Sequence, residues 1–231
     1  TISLVDSAER KVVNESKVGR AITDIVAVPD SRRLLITDEE SHELISVSLT
    51  SLGIQVERRL PIGAYPVTVR VNSAGNRAYV ASLWSRTISI IDIPRWLSGT
   101  DPGSDAIIHR VELLFSPREQ LLIGADDQRR LLPGLQGPVG RLIVADGFGS
   151  KLALIDAESG EVLSVRELPA HAIRGMRLHP TTPNLVMTHQ MLNRFANATD
   201  AARQTISGRC SERSRAVTRS RSIAVMERSR S

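Results

Sequence analysis

Apolar positions along this chain come in short runs punctuated by turn residues, and the runs recur in a fixed order. Four of them directly follow a turn and are nearly continuous in apolar character: RRLLITD (32–38), NRAYVAS (76–82), GRLIVAD (140–146) and PNLVMTH (183–189). Their last residues fall at 38, 82, 146 and 189, intervals of 44, 64 and 43, and the long interval carries an insertion. A second series keeps step with the first, as ISLVD (2–6), LISVS (44–48), ISIID (88–92) and LALID (152–156). Each is trailed by a third strand with a polar start: RKVVNESKVG, IQVERRLPIG, IIHRVELL and EVLSVRELP. Lead strands DIVAV, PVTVRV and IRGMRL precede the first, second and fourth members of the opening series.

Units of ~40–45 residues with four strands each are the pattern of β-propeller blades. Blades stack face to face, so their inner strands are covered on both sides and read as continuous apolar runs, as LLI, AYVA, LIVA and LVM do here. A β-sandwich also recurs in short strands, but it does not impose this shared order at 43–44 residue spacing. The absence of a sustained 3.6-residue pattern excludes a helical solenoid. The expected fold class is therefore all-β, a propeller of four-stranded antiparallel blades, with complete blades at roughly 21–60, 64–115 and 118–169. The first residues supply only the last two strands of a blade, and the residues before 200 supply only the first two of another. About four blades' worth is present in 1–200. A ring of four would strain blade stacking, so the sequence reads as a piece of a larger propeller.

PVTVRVNSAGNRAYVASLWSRTISIIDI resembles a YVTN-type propeller repeat, with a Pro-led strand, a Gly-Asn turn, a YVAN-like strand and a VSVID-like strand in succession. YVAS (79–82) departs from that pattern by one residue. The resemblance covers about 190 residues and is weakest across 97–140. LPAHAIRGMRLHPTTPNLVMTHQMLNRFANAT is similar to the last propeller segment of bacterial multi-domain proteins that carry a dihaem cytochrome c module of the peroxidase type. This second resemblance implies a non-catalytic binding or docking domain of an exported, periplasmic or extracellular protein. Electron transfer would reside in a separate cytochrome c module, with no cofactor in this chain. The enzymatic alternative is a lactonase-like, metal-dependent hydrolytic propeller, which needs acidic, Asn or His ligands converging on a divalent cation.

Charge changes the choice of partners only through its location. The formal +5 comes from residues 201–231, where eight Arg face Glu212 and Glu227, while residues 1–200 carry 22 basic and 23 acidic side chains. The folded body thus offers no electrostatic reason to bind nucleic acid. The tail, dense in Arg and Ser, has too few apolar residues to fold alone and is expected to be disordered or the product of a wrong reading frame. It also lacks the aromatic residues that stack on bases. Cys210, the only cysteine, lies in the tail, so there is no disulfide framework, no CxxC zinc signature and no CxxCH haem attachment. No apolar run approaches a membrane span. The chain starts without Met or a signal-like segment, and it reads as a mature protein or a fragment.

Candidate chemistry is sparse. His171, His179 and His189 cluster in sequence, but spacings of 8 and 10 match neither a helical HxxxH nor a zinc finger. His42 and His109 stand apart. Asp6, Asp92 and Asp156 recur once per unit, which favours a structural role: a carboxylate at a strand end accepts hydrogen bonds from the turn that follows. There is no GxSxG elbow, and GFGSK (147–151) lies between strands as a hairpin turn and not before a helix as a phosphate loop. The insertions PRWLSGTDPGSD (94–105) and ADDQRRLLPGLQGPVG (125–140) read as long surface loops, with Trp84 and Trp96 as exposed anchors or blade-edge packing. The candidate binding set is His171, Arg174, His189, Gln190 and Asn193. Antiparallel pairing can bring the two histidines to one rim of a blade, where Arg174 and Asn193 supply donors suited to a partner carboxylate or a haem propionate.

Overall fold

The computed structural model describes residues 1–51, 53–99, 104–124, 140–182, 184–192 and 223–226. They form two compact units, Thr1–Pro117 and Arg118–Ser231.

The first unit begins with a two-stranded antiparallel sheet of β1 (Ile2–Asp6) and β2 (Lys11–Ser16). A four-stranded sheet follows, with β3 (Ile22–Ala27), β4 (Arg33–Asp38), β5 (Glu43–Thr50) and β6 (Gly53–Pro61) in sequence order. The next repeats that meander with β7 (Pro66–Val71), β8 (Arg77–Ser82), β9 (Thr87–Asp92) and β10 (Ile107–Glu112). Consecutive residues of a strand face opposite sides of the sheet. Leu35 and Ile36 are both 0% exposed, so β4 is covered on both faces. Leu35 packs with Leu44, Leu60, Val69 and Val80, whereas Ile36 packs with Val18, Ile45 and Val47 and, beyond them, with Ile2 and Leu4 of β1. The β3–β6 sheet is thereby sandwiched between the β1–β2 pair and the β7–β10 sheet. The lead strands meet through polar contacts as well: the Asp24 carboxylate accepts from the Val69 amide at 3.0 Å and from Arg70 at 2.7 Å.

The second unit carries a third meander of β11 (Pro117–Ile123), β12 (Arg141–Asp146), β13 (Lys151–Asp156) and β14 (Val162–Glu167). A further sheet joins β15 (Ala170–Leu178), β16 (Leu185–Leu192) and β17 (Ile223–Met226). Ala145, Leu152, Ile173, Met176, Leu185 and Met187 form the core of this unit.

The three four-stranded sheets span 22–61, 66–112 and 117–167, as the spacing of the apolar runs predicts. Two expectations change. The stretch expected as a loop at 94–105 opens as helix α1 (Ile93–Ser98), because Asp92 caps it by accepting from the Arg95 amide at 3.0 Å, Pro94 suits its first turn, and Trp96 buries its side chain to 1% exposure. Trp84, by contrast, is 70% exposed. In the Arg/Ser-rich tail, the apolar run IAVM forms β17 and pairs antiparallel with β16, Leu185 opposite Met226 and Thr188 opposite Ile223. The rest of the tail, and most of the 125–140 insertion, lie outside the described residues.

The recurrent aspartates close their strands onto the turns that follow. Asp6 accepts from the amides of Ala8 and Glu9, and Asp156 from those of Glu158 and Ser159. Asp92 and Asp156 also sit directly opposite Arg77 and Arg141 on the neighbouring strand and pair with them at 2.6 and 2.9 Å. In the first sheet the same register places Ser48 opposite Arg33, which turns instead to Glu57 at 2.9 Å.

Burial decides what these pairs are worth. Arg141 and Asp156 are 3% and 2% exposed, while Arg77 and Asp92 retain about a quarter of their exposure. Replacing Arg141 by Met should cost about 3–5 kcal/mol by leaving a buried carboxylate unpaired, and Arg77→Met only about 1 kcal/mol. Equal losses in urea titrations of the two variants would contradict this account. Protonation tests the same groups. Burial pulls the pKa of Asp38 and Asp156 upward, but it is outweighed by hydrogen bonds from turn amides, and both lie below 3.8. The Arg95 amide, aided by Arg77, lowers Asp92 likewise. A carboxylate lowered in the folded state contributes stability that is complete above its ordinary value and lost as pH falls through the folded one. Stability followed by circular dichroism should therefore hold down to about pH 4 and decline below it, with Asp156→Asn flattening the decline.

Candidate functional site

The β15–β16 hairpin carries four of the five candidate residues; Asn193 lies outside the described residues. His171 stands opposite Met191 and Ile173 opposite His189, after which the register slips, so that Arg174 is the extra residue of a bulge before Gly175 pairs with Thr188. Bulges re-aim side chains, and this one turns Arg174 onto Gln190, whose Oε1 accepts from Nε at 3.0 Å. Gly175 suits the close approach of the two strands there, since a Cβ at this position would lie 3.0 Å from Thr188 Oγ1. Just before the bulge, Ala172 holds a φ of 53° and donates its amide to the Gly149 carbonyl at 3.1 Å, tying β15 to the β12–β13 turn.

The hairpin does not gather the set into one cluster. Along β16, Leu185 and Met187 point into the core, Thr188 and Gln190 are exposed, and His189 falls on the Met187 side. Arg174 and Gln190 thus make one exposed pair, and the half-buried His189 belongs to the opposite face. Partial desolvation pushes the Arg174 guanidinium below its ordinary value, and the like charge of Arg118 adds to the effect while Glu119 opposes it. Arg174 stays a cation at any physiological pH, with the opposite charges of Arg118 and Glu119 both bearing on it from β11. Arg118 and Glu119 escape a sequence reading because PREQLLI starts polar and sits apart from its hairpin partner; the signal for it is the gap that the repeat leaves at this position. Among the described residues, no three His, Cys, Asp or Glu side chains converge as a metal centre requires.

Solved structures of similar shape place the fold. The chain superposes on hydrazine synthase of Kuenenia stuttgartiensis with a TM-score of 0.59, at 17% identity over 80% of this chain and 47% of that one. It superposes on the dihydro-heme d1 dehydrogenase NirN in complex with DHE with a TM-score of 0.63, at 13% identity over 83% of this chain and 38% of the other. The Cps50 (Swd1) β-propeller domain of Myceliophteria thermophila matches at a TM-score of 0.56, with 15% identity over 74% of this chain and 48% of that domain. The fold is that of a β-propeller. Its three complete meanders are blades, and Arg174 lies on the lead strand of the blade that follows them. No family model matches the sequence, and no curated protein does. The propeller segment spans less than half the length of each of these three structures, and at such identities the likeness is one of fold alone. No helix among the described residues is long and apolar enough to cross a membrane.

The two exposed members of the set make a simple stability prediction. Because the Arg174–Gln190 contact is solvent-screened, Gln190→Ala should change the unfolding free energy by less than about 1 kcal/mol. His189→Ala should cost more, since it empties volume beside Met187 on the core side. Thermal melts of the two variants under one buffer check the order.

Proposed function

We propose that this propeller segment is a non-catalytic docking module of a larger exported protein, and that Arg174, held by Gln190 and flanked by Arg118, receives an anionic group of a c-type cytochrome module. The carrying observation is the exposed Arg174 at the β15 bulge, its Nε fixed on Gln190 at 3.0 Å. A guanidinium oriented by such a bond and open to solvent favours a carboxylate or a haem propionate over a neutral ligand. His171 sits at the start of the same strand, and Asn193 follows the end of its partner in sequence. The YVTN-like repeat in 66–93 and the similarity of 168–199 to propellers that precede dihaem cytochrome c modules support this reading. The haem chemistry in the name of one structural neighbour, the dihydro-heme d1 dehydrogenase, supports it too. A periplasmic or extracellular location follows from the same resemblance.

In this reading the segment holds no cofactor of its own, because covalent c-type haem needs the two thiols of CxxCH and Cys210 is the only cysteine. The purified chain should show no Soret band that survives acid-acetone extraction.

Docking is tested by surface plasmon resonance against a dihaem c-type cytochrome module supplied in trans. Arg174→Glu should weaken binding at least about tenfold with an unchanged melting temperature, and the wild-type affinity should fall as salt rises. Wild-type affinity in Arg174→Glu and in His171→Ala would leave these side chains only a structural role.

A further inference from the structure

A second site lies in the first unit, at the rim where the β4–β5 turn, the β6–β7 connection and the β8–β9 turn meet. They border an open cavity of about 500 Å³. Its walls include the Tyr65 and Trp84 rings, whose centroids are 5.4 Å apart and whose planes are tilted by 31°, and the side chains of Glu39, Glu40 and His42. Among the described residues, no Lys or Arg lines it.

The backbone builds this wall in advance. Tyr65 is held at a φ of 62° and His42 at 57°, a region that side-chain-bearing residues enter only when their surroundings dictate it. The Tyr65 amide donates to His42 Nδ1 at 3.2 Å, and its carbonyl accepts from the Leu83 amide at 2.9 Å. The next residue back does the same for the tryptophan: the Ala64 carbonyl accepts from the amides of Trp84 and Ser85. Asp38 fixes the acidic side by accepting from the amides of Arg20, Ala21 and Ser41. Its carboxylate lies so close to Gly19 that a Cβ there would come within 2.5 Å of Oδ2. Positive φ recurs at the turn residues Arg10 and Arg86, so the repeat supplies this backbone, and the aromatic pair and the two glutamates are what this rim adds to it.

We infer that this cavity binds a small organic cation of the methylated-ammonium class. Trp is the strongest aromatic partner for such a charge, Tyr65 backs one side of it, and its remaining surface is open to solvent. Glu39 and Glu40 supply the countercharge. Arg20 approaches Glu40 at 3.6 Å, but both side chains are mostly exposed, so water screens that pair and Glu40 remains attractive to a ligand. The volume suits a small molecule, and a methylated ammonium sheds its weak hydration at little loss on entering an aromatic-lined pocket. The site is independent of Arg174, which belongs to the other unit, and of the docking role given to it.

Tryptophan fluorescence of the intact chain gives the test, because Trp84 is exposed whereas Trp96 is buried and reports a constant background. Choline should shift or quench the emission saturably. Its uncharged isostere 3,3-dimethyl-1-butanol should bind at least about tenfold more weakly, and so should choline to the Glu39→Gln/Glu40→Gln protein. Calorimetry on Trp84→Ala, with circular dichroism to establish that it is folded, should show binding abolished. Equal affinity for choline and the alcohol would overturn the inference by reducing the cavity to a greasy surface. An absence of saturation by choline in the folded wild-type chain would overturn it outright.

Discussion

Burial on both faces of the inner strands is the constraint from which the rest of this structure follows. A pleated strand sends neighbouring side chains to opposite sides, and most sheets solve this by keeping one side polar. Here Leu35 and Ile36, Leu44 and Ile45, and Ile90 and Ile91 are adjacent pairs with no exposure at all. A sheet with such strands cannot stand alone in water, and it must be stacked between two others. Stacking consumes both faces, so what remains for chemistry is the rim, where turns link the strands. The aromatic cavity lies among those turns, whereas Arg174 reaches solvent because a bulge interrupts β15.

The same constraint explains which parts of the fold the sequence discloses. Runs such as LLI and LIVA are unmistakable because covering both faces removes the polar alternation that would make them ambiguous, and the turn before each fixes its start. The spacing then carries the blade boundaries. Helix α1 is hidden because the local signals in PRWLSGTDPGSD, Pro and Gly, speak for a loop, and only the capping by Asp92 and the burial of Trp96 tip the balance. Strand β11 is hidden because its inward residues, Pro117, Gln120 and Ile123, do not follow a simple two-residue period.

Sites are less legible than sheets, for a specific reason. A period-two argument places His189 and Gln190 on opposite faces, but it cannot foresee that a single extra residue, Arg174, will bulge out and reach Gln190. Nor does any residue type announce the positive φ of His42 or Tyr65, because glycine or asparagine is the usual occupant of such positions. The aromatic wall depends on those two backbones. It becomes visible only when the hydrogen bond from the Tyr65 amide to His42 is seen.

Repetition supplies position, and departure from repetition supplies function. Asp92 and Asp156 occupy one place in successive blades and do one thing, but the first sheet replaces that aspartate by Ser48 and recruits Glu57 from the next strand to hold Arg33. The job is retained while the residue moves. Two residues beyond the end of β4, β8 and β12 the opposite occurs: the place is retained and the residue changes, from Glu40 to Trp84 to Phe148, all of them exposed. A position that the stack requires would resist such variety, since an acid, an indole and a phenyl ring share neither shape nor solvation. That turn is therefore under no shared packing constraint, and most of the Trp84 and Phe148 surface stays in water. The side chain best placed to leave water is Trp84, which already has Tyr65 behind it and the Glu39–Glu40 carboxylates beside it.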